Sequence, residues 1–269
     1  MKINVYGASG FVGSNFCNLY KEDVIEQPRE INAPKADNVL YLISTTDNYN
    51  VFTDLHKDVN VNLTKLMSVL TECKDKDVTF NFVSSWFVYG KAELPAKENS
   101  LCNPTGFYSI TKKCAEDLII SYCKTFNKKY RILRLCNVYG SNDKGTSKKK
   151  NALQYLVGEL KANRPINLYN SGKFFRDYMH VTDVCEAIKL VIDKAPVNDI
   201  YNIGSGEPTW FKCLIDHVVN ETNSTSTITN IDPPEFHNTV QASSIYLDVT
   251  KIRNLGFVPK LDIYKEILK

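Results

Sequence analysis

KINVYGASGFVG, residues 2–13, is the stretch whose reading decides the fold of this chain. Lys2 to Tyr6 reads as a short strand, and Gly7, Gly10 and Gly13 follow as a turn entering a helix that ends near Tyr20. Glycine at this spacing permits a tight turn, a close backbone approach to a pyrophosphate, and close helix–strand packing. The helix start adds unpaired N–H donors and the positive end of its dipole. A glycine triplet alone also suits ordinary turns. Its place directly after an N-terminal strand and before a helix selects dinucleotide binding. The expected phosphate cradle is Gly7, Ser9, Gly10, Phe11, Val12 and Gly13.

Strands and helices alternate from there. Asp23–Ile25 and Val39–Ile43 read as strands, the second an apolar run suited to a sheet covered on both faces. A helix from about Asp54 to Cys73 carries Leu55, Val59, Leu63, Leu66, Met67 and Leu70 as an apolar stripe. Thr79–Val83 is a strand ending at Ser84-Ser85, a helix of about 107–126 follows, and Arg131–Leu135 is the next strand. Such alternation implies right-handed crossovers and an α/β, doubly wound parallel sheet. Beyond about residue 140 the pattern loosens into helices near Ala152–Lys161 and Asp183–Asp193, a strand at Ile200–Ile203 and a polar stretch at Asn220–Asn230. The expected division is a dinucleotide-binding unit at 1–165, with parts of 174–205 returning to it, and a smaller C-terminal lobe at 166–269.

Bulk properties exclude several classes. The 269 residues are 43% hydrophobic and 23% charged, ordinary globular values. A net charge of +3 gives no reason to expect nucleic acid or membrane as a partner. The one basic run, Lys148-Lys149-Lys150, reads first as a solvated loop, and secondarily as a contact to an anionic substrate. Eight scattered cysteines show no metal spacing, so no metal is expected, and they read as small hydrophobes of a reducing cytoplasm. No signal-peptide pattern and no apolar stretch of membrane-spanning length is visible.

Tyr108 and Lys112 stand four apart on the 107–126 helix and share a face. An ammonium so close is expected to pull the phenol down from its free pKa of about 10 towards working pH. Tyr108 is therefore a candidate acid/base, with Ser85 a candidate second donor to the same substrate oxygen. At the end of the second strand an acidic residue is expected for ribose hydroxyls. The chain offers Glu26, and also Arg29, whose guanidinium suits a 2′-phosphate. Both NAD and NADP fit this pattern, as does a merely solvated loop charge.

With these motifs in order, the chain resembles an extended short-chain dehydrogenase/reductase of the NAD-dependent epimerase/dehydratase family, whose members act on nucleotide sugars. The resemblance is carried by GASGFVG at 7–13, SSWFVYG at 84–90, YSITK at 108–112, LRLCNVYG at 133–140, RDYMHVTDV at 176–184 and YNIGSG at 201–206. It implies a Rossmann fold with a substrate-binding lobe. It makes Ser85 the catalytic hydroxyl, Tyr108 the acid/base, and Lys112 its partner and holder of the nicotinamide ribose. Asn137 and Trp86 become substrate contacts, and Arg176 the ligand of the sugar nucleotide's diphosphate. The family habit also implies a homodimer through the helices near 54–73 and 107–126. Each has a plainer reading: Asn137 as a turn cap, Arg176 beside Asp177 as a surface pair, Asp183 as a residue answering a helix dipole, His180 as a structural histidine, and Asp248 with Lys251 as a helix start.

Departures from the family narrow the reaction. Trp86 and Phe87 stand where the family's 4,6-dehydratases place an Asp-Glu pair, and acid–base work at a second carbon needs a titratable group. Hydride chemistry at one carbon, C4 of the sugar, is what remains. The link from Ile25 to Val39 holds only a loop where many relatives fit an extra helix–strand–helix, which removes a contact to the adenine. Residues 232–248 lack the arginine that relatives place against the nucleotide, so the base is not readable. The leading expectation is an NAD(P)-dependent nucleotide-sugar epimerase. A 4-keto-sugar reductase using NADPH is the alternative, and a cofactor-binding scaffold without catalysis a remote third.

Overall fold

The computed structural model describes residues 1–46, 48–141, 143, 152–241 and 244–269. The expected basic run at Lys148–Lys150 lies outside the described residues. Six parallel strands form the main sheet: β1 (Ile3–Tyr6), β2 (Val24–Gln27), β3 (Asn38–Tyr41), β4 (Thr79–Ser85), β5 (Lys129–Leu135) and, far along the chain, β10 (Asp199–Ile203). Their spatial order is β10-β5-β4-β3-β1-β2. The chain therefore winds one way to β2, returns past β1 to β3, and continues the other way. The reversal between β1 and β3 opens a crevice at the strands' carboxyl ends, where doubly wound sheets bind ligands.

Side chains alternate along each strand, so both faces need cover. On one face Ile3, Val5, Leu40, Val83 and Leu133 pack with Phe16 and Cys17 of α1 (Phe11–Leu19) and Val184, Ile188 and Val191 of α6 (Val181–Lys194). On the other, Tyr41, Phe80, Phe82 and Ile132 pack with Leu66, Val69 and Leu70 of α3 (Lys65–Cys73) and Ala115 and Ile119 of α4 (Phe107–Thr125). The helix expected from Asp54 starts later. It comprises α2 (Lys57–Val59), a π-helical turn at Asn60–Thr64, and α3. Only the second half of its expected stripe is core: Leu66 and Leu70 are buried, whereas Leu55 and Val59 are exposed. The π turn adds a residue and rotates the face on which the apolar spacing was counted.

The lobe has a separate core. Leu153, Leu156, Val157 and Leu160 of α5 (Ala152–Lys161) meet Leu214, Ile215 and Val218 of α7 (Phe211–Thr222). The expected division at residue 165 puts α5 with the sheet, but its apolar face packs into this second cluster. Short strand pairs complete the lobe: β6 (Asn137–Tyr139) with β9 (Tyr178–His180), β7 (Ile166–Tyr169) with β12 (Ile228–Ile231), and β8 (Phe175–Arg176) with β11 (Thr209–Trp210). Three short helices finish the chain: α8 (Glu235–Val240), α9 (Thr250–Asn254) and α10 (Ile263–Glu266). Ile245, Leu247, Val249 and Ile252 return to the sheet's own core. Asp248 accepts from the Thr250 N–H at 2.9 Å ahead of α9, while Lys251 pairs with Asp199 instead. The described residues contain no helix long and apolar enough to cross a membrane.

Candidate active site

A cavity of about 740 Å³ lies at the β1/β3 reversal, within the range of small-molecule sites. The sheet contributes Gly7 from the end of β1, Ser44 and Thr45 after β3, Ser84 and Ser85 from β4, and Leu135 to Val138 around β5. The lobe closes it with Phe174, Arg176, Tyr178 and His237.

Gly7, Gly10, Phe11, Val12 and Gly13 line one end. Gly7 has φ +89°, where a side chain is strained, and a Cβ on Gly13 would stand 2.1 Å from the Gly7 carbonyl oxygen. The turn is thus closed against side chains at both positions. Gly10 caps α1 without any side-chain bond to the first-turn amides, and that turn holds no acidic residue. The amides of Phe11, Val12 and Gly13 are the ones a helix cannot satisfy itself, so the cradle fits an anionic pyrophosphate. Ser9 is exposed and does not line the cavity, and Arg29, equally exposed, stands outside it with its carbonyl accepting from Lys65 at 2.6 Å.

Ser85, Trp86, Tyr108, Lys112, Asn137 and Arg176 are all brought together in the cavity wall. The Ser85 oxygen accepts from the Phe87 N–H at 3.3 Å. Tyr108 is the second residue of α4, whose start is fixed by Ser109: the Ser109 hydroxyl accepts from the Gly106 N–H at 3.0 Å and donates to the Gly106 carbonyl at 2.9 Å. The Lys112 ammonium donates to the Val83 carbonyl at 2.5 Å and lies 4.2 Å from the centroid of Phe82. It is therefore anchored to β4, one strand residue from Ser84.

The charge states differ from the expectation. Burial pushes the Tyr108 phenol up to about 12; the Ser85 hydroxyl opposes this by bonding its oxygen, and the buried Asp58 carboxylate adds to the rise. Burial pulls Lys112 down to about 7, against the attraction of Glu116. Desolvation disfavours the charged form of both groups and here outweighs their helical spacing. Burial thus favours the neutral phenol of Tyr108 over its phenolate.

Arg176 is no surface residue. Its guanidinium faces the rings of Trp86 at 5.2 Å and Phe174 at 5.0 Å, and burial lowers its pKa to about 10. Its neighbour Asp177 is buried and accepts from the N–H groups of Ser205 (2.8 Å), Gly206 (3.1 Å) and Leu247 (3.3 Å), so the pair serves two different purposes. Asn137 donates to the Asp177 carbonyl at 3.1 Å. Asp183 sits in the first turn of α6 and accepts from the Lys260 and Leu261 N–H groups, while His180 caps the same helix through Thr182.

Sequence reasoning missed a buried polar network behind Tyr108. Asn62 donates to Thr45 and to Thr111 of α4, both at 2.9 Å, and its oxygen accepts from the Thr45 N–H at 2.8 Å. Thr45 and Asn50 in turn donate to Asp58. These partners are up to 49 residues apart, and no local pattern announces them. His237 was also missed: it lines the cavity on α8 and meets the Tyr49 hydroxyl at 3.3 Å, in the segment noted only for lacking arginine. Among the described residues no group of His, Cys, Asp and Glu forms a metal site.

The sequence profile of the NAD dependent epimerase/dehydratase family matches residues 29–204. Among curated proteins, a dTDP-4-dehydro-6-deoxyglucose reductase of Escherichia coli is 26% identical over 259 residues, covering 91% of this chain and 79% of that protein. Among solved structures, the UDP-glucuronic acid 4-epimerase of Bacillus cereus, in complex with UDP-glucuronic acid and NAD, superposes with a TM-score of 0.87 at 20% identity, covering 99% of this chain and 96% of the other. The RMD protein of Pseudomonas aeruginosa, complexed with NADPH, gives a TM-score of 0.84 at 20% identity, with the same coverage.

Proposed function

The chain belongs to the NAD-dependent epimerase/dehydratase family, and we propose that it is a nucleotide-sugar epimerase working by transient oxidation at C4. The observation that carries this reading is that Ser85 and Tyr108 share one cavity with the glycine turn, while Trp86 and Phe87 put no carboxylate beside them. The cradle of Gly7, Gly10, Phe11, Val12 and Gly13 would hold the cofactor pyrophosphate, and Lys112 the nicotinamide ribose. When bound, an oxidised nicotinamide supplies a hydride acceptor and a fixed positive charge. The oxidising step needs Tyr108 as phenolate, a form that the positive charge of the bound cofactor would favour against burial; that phenolate would take the proton of the sugar O4 as the C4–H bond breaks and return it when the other face of the 4-keto sugar is reduced. Ser85 donates to the developing oxyanion in a water-poor cavity, where such a bond counts most. Arg176, buried and cationic, would meet the diphosphate, with Asn137 and Trp86 against the sugar. Incubating the protein with UDP-, GDP- and dTDP-hexoses and assaying C4 inversion tests the reading; no inversion with any of them counts against it.

A second reading has its own support. A phenol near pKa 12 begins as a proton donor, which is what reduction of a 4-keto sugar requires. The relative from Escherichia coli is a reductase, and residues 28–37 give the adenosine side a loop instead of a further strand, which suits a cofactor exchanged at every turnover. Purified protein carrying tightly held NAD favours the epimerase; protein that arrives empty and prefers NADPH favours the reductase, with Arg29 then meeting the 2′-phosphate. A homodimer is proposed for either. Ile110, the half-buried Cys114 and Leu118, spaced by four on α4, form an apolar stripe, and Leu55 and Val59 of the preceding segment are exposed as well. Light scattering at twice the chain mass is expected.

A further inference from the structure

We infer that Asn48 is a specificity-determining residue. Its carboxamide holds the sugar hydroxyl next to the reacting one, donating to the oxygen of that hydroxyl and accepting a hydrogen bond from it. The inference rests on the reading of Tyr108 and Ser85 as the groups that hold the reacting oxygen.

Asn48 opens the short 3-10 turn Asn48–Phe52 that follows β3, and it lines the cavity. The residue is 2% exposed, and neither its Nδ2 nor its Oδ1 has a hydrogen-bond partner among the described residues. Its neighbours in sequence are paired: Asn50 donates to Asp58, and Asn62 donates to Thr45 and Thr111. Burying both ends of a carboxamide unpaired is costly, and natural structures keep such groups few. In a segment that otherwise satisfies its buried amides, the contrast marks Asn48 as a group kept for a ligand.

The carboxamide lies against the start of α4. A Cβ on Gly106 would stand 2.0 Å from the Asn48 Oδ1 and 2.5 Å from its Cγ. The Gly106 backbone, at φ −104°, suits any residue, so glycine here serves space: it makes room for the amide. Tyr108 is two residues further on, a span of at most about 7 Å. The β4 side of Tyr108 is aromatic carbon instead. Phe87 meets its ring edge-on with centroids 5.8 Å apart, and Trp86 stacks on Phe87 at 3.9 Å.

The chemistry of the group selects its ligand. A carboxamide offers donors at one end and an acceptor at the other, and a hydroxyl answers both. An anion or a ring ether would meet the donors alone, and a methyl would meet neither. Of the two carbons flanking C4, C3 bears a hydroxyl directly, whereas C5 bears the ring oxygen and C6. The hydroxyl is therefore O3. Rotation about the last bond of an asparagine is soft, so a turn of the amide presents both ends to a seated sugar.

Calorimetric binding in the Tyr108→Phe background tests this without turnover, using UDP-, GDP- and dTDP-glucose and their 3-deoxy and 6-deoxy analogues. The 3-deoxy sugar is expected to bind about 5–140-fold more weakly than its parent, the effect of leaving a buried polar group unmatched. Adding Asn48→Ala is expected to make parent and 3-deoxy sugar bind alike, with cofactor affinity unchanged. The thermal midpoint should not fall, because two unpaired polar atoms leave the interior. A merely structural asparagine would lower the midpoint and leave the ranking of sugars in place. Equal binding of parent and 3-deoxy sugar by Tyr108→Phe overturns the inference without any change at residue 48. So does a ranking against the 6-deoxy sugar alone, a ranking that survives Asn48→Ala, a loss confined to the cofactor, or no binding of any sugar. A ranking abolished by Asn48→Ala, with no turnover by the wild type, refutes the reaction and leaves the role of Asn48 standing.

Discussion

The two flanks of β1 are built differently. Towards β3, four strands stand in a row and the groups around Tyr108 are held many times over. Lys112 is fixed to the Val83 carbonyl, Thr111 to Asn62, and lower on α4 Glu116 forms a buried ion pair with Arg134 of β5, donated at 2.7 and 3.1 Å. Towards β2 there is a single strand, then a loop at 28–37 tied down by the Tyr6 hydroxyl to Asn32, Asn4 to Ala36, and Lys65 to Arg29 and Asn32. Reaction geometry tolerates little displacement, and a small shift there is costly in rate. On the proposed function, the β2 flank would meet the adenosine and would only have to contribute affinity. The difference would then keep the chemistry rigid and leave cofactor affinity adjustable.

The largest effect expected from this contrast is at the reacting centre. Tyr108→Phe should lower kcat by about 10²–10⁴-fold while leaving the unfolding midpoint unchanged, because only a hydroxyl contact is lost. Steady-state kinetics beside a thermal melt checks both halves. Next comes the support of α4. Glu116→Ala strands the Arg134 guanidinium in the core and is expected to cost about 3–5 kcal/mol in chemical denaturation. A cost below about 1 kcal/mol would mean that the catalytic flank is no better braced than the surface.

Lys112 has a signed pH signature. Its pKa is about 7 in the fold against an ordinary 10.5, so between those values the unfolded chain binds more protons and stability rises with pH. The charged form is disfavoured most fully below about 7. Lys112→Met should therefore be more stable than the wild type at low pH and should lack roughly 3 kcal/mol of the rise between pH 7 and 10. A parallel pair of curves would show the ammonium comfortable on its carbonyl and ring. The smallest effect belongs to the β2 flank. Arg29→Ala, at an exposed loop, should change cofactor affinity by less than about 1 kcal/mol and leave kcat intact. A tenfold loss confined to NADPH would sharpen the contrast by giving the loop a 2′-phosphate to hold.

What the sequence revealed follows the range of the forces involved. The glycine turn was legible because its steric demand is local, and Gly7, Gly10 and Gly13 line the cavity as their spacing implies. Tyr108 and Lys112 were legible as neighbours, since helical spacing is local too. The sign of their pKa shifts was not, because burial of the whole cavity decides it. Trp86 and Phe87 were read as missing acids, and their stacking as an aromatic wall emerged only in three dimensions. The network of Asp58, Asn62, Thr45 and Thr111 joins a loop, a π turn and a distant helix, pairings that no periodicity encodes. The lobe was the least legible region, since its strands are two to four residues long and one of its helices, α5, precedes the expected boundary.

The most direct test follows the nicotinamide signal of cofactor-loaded protein when a nucleotide sugar is added, in wild type and in Tyr108→Phe. The account predicts a rapid change in reduced-nicotinamide fluorescence in the wild type, with transfer slowed by orders of magnitude in the variant. An equally fast change in Tyr108→Phe, or none in the wild type with any nucleotide sugar, would contradict it.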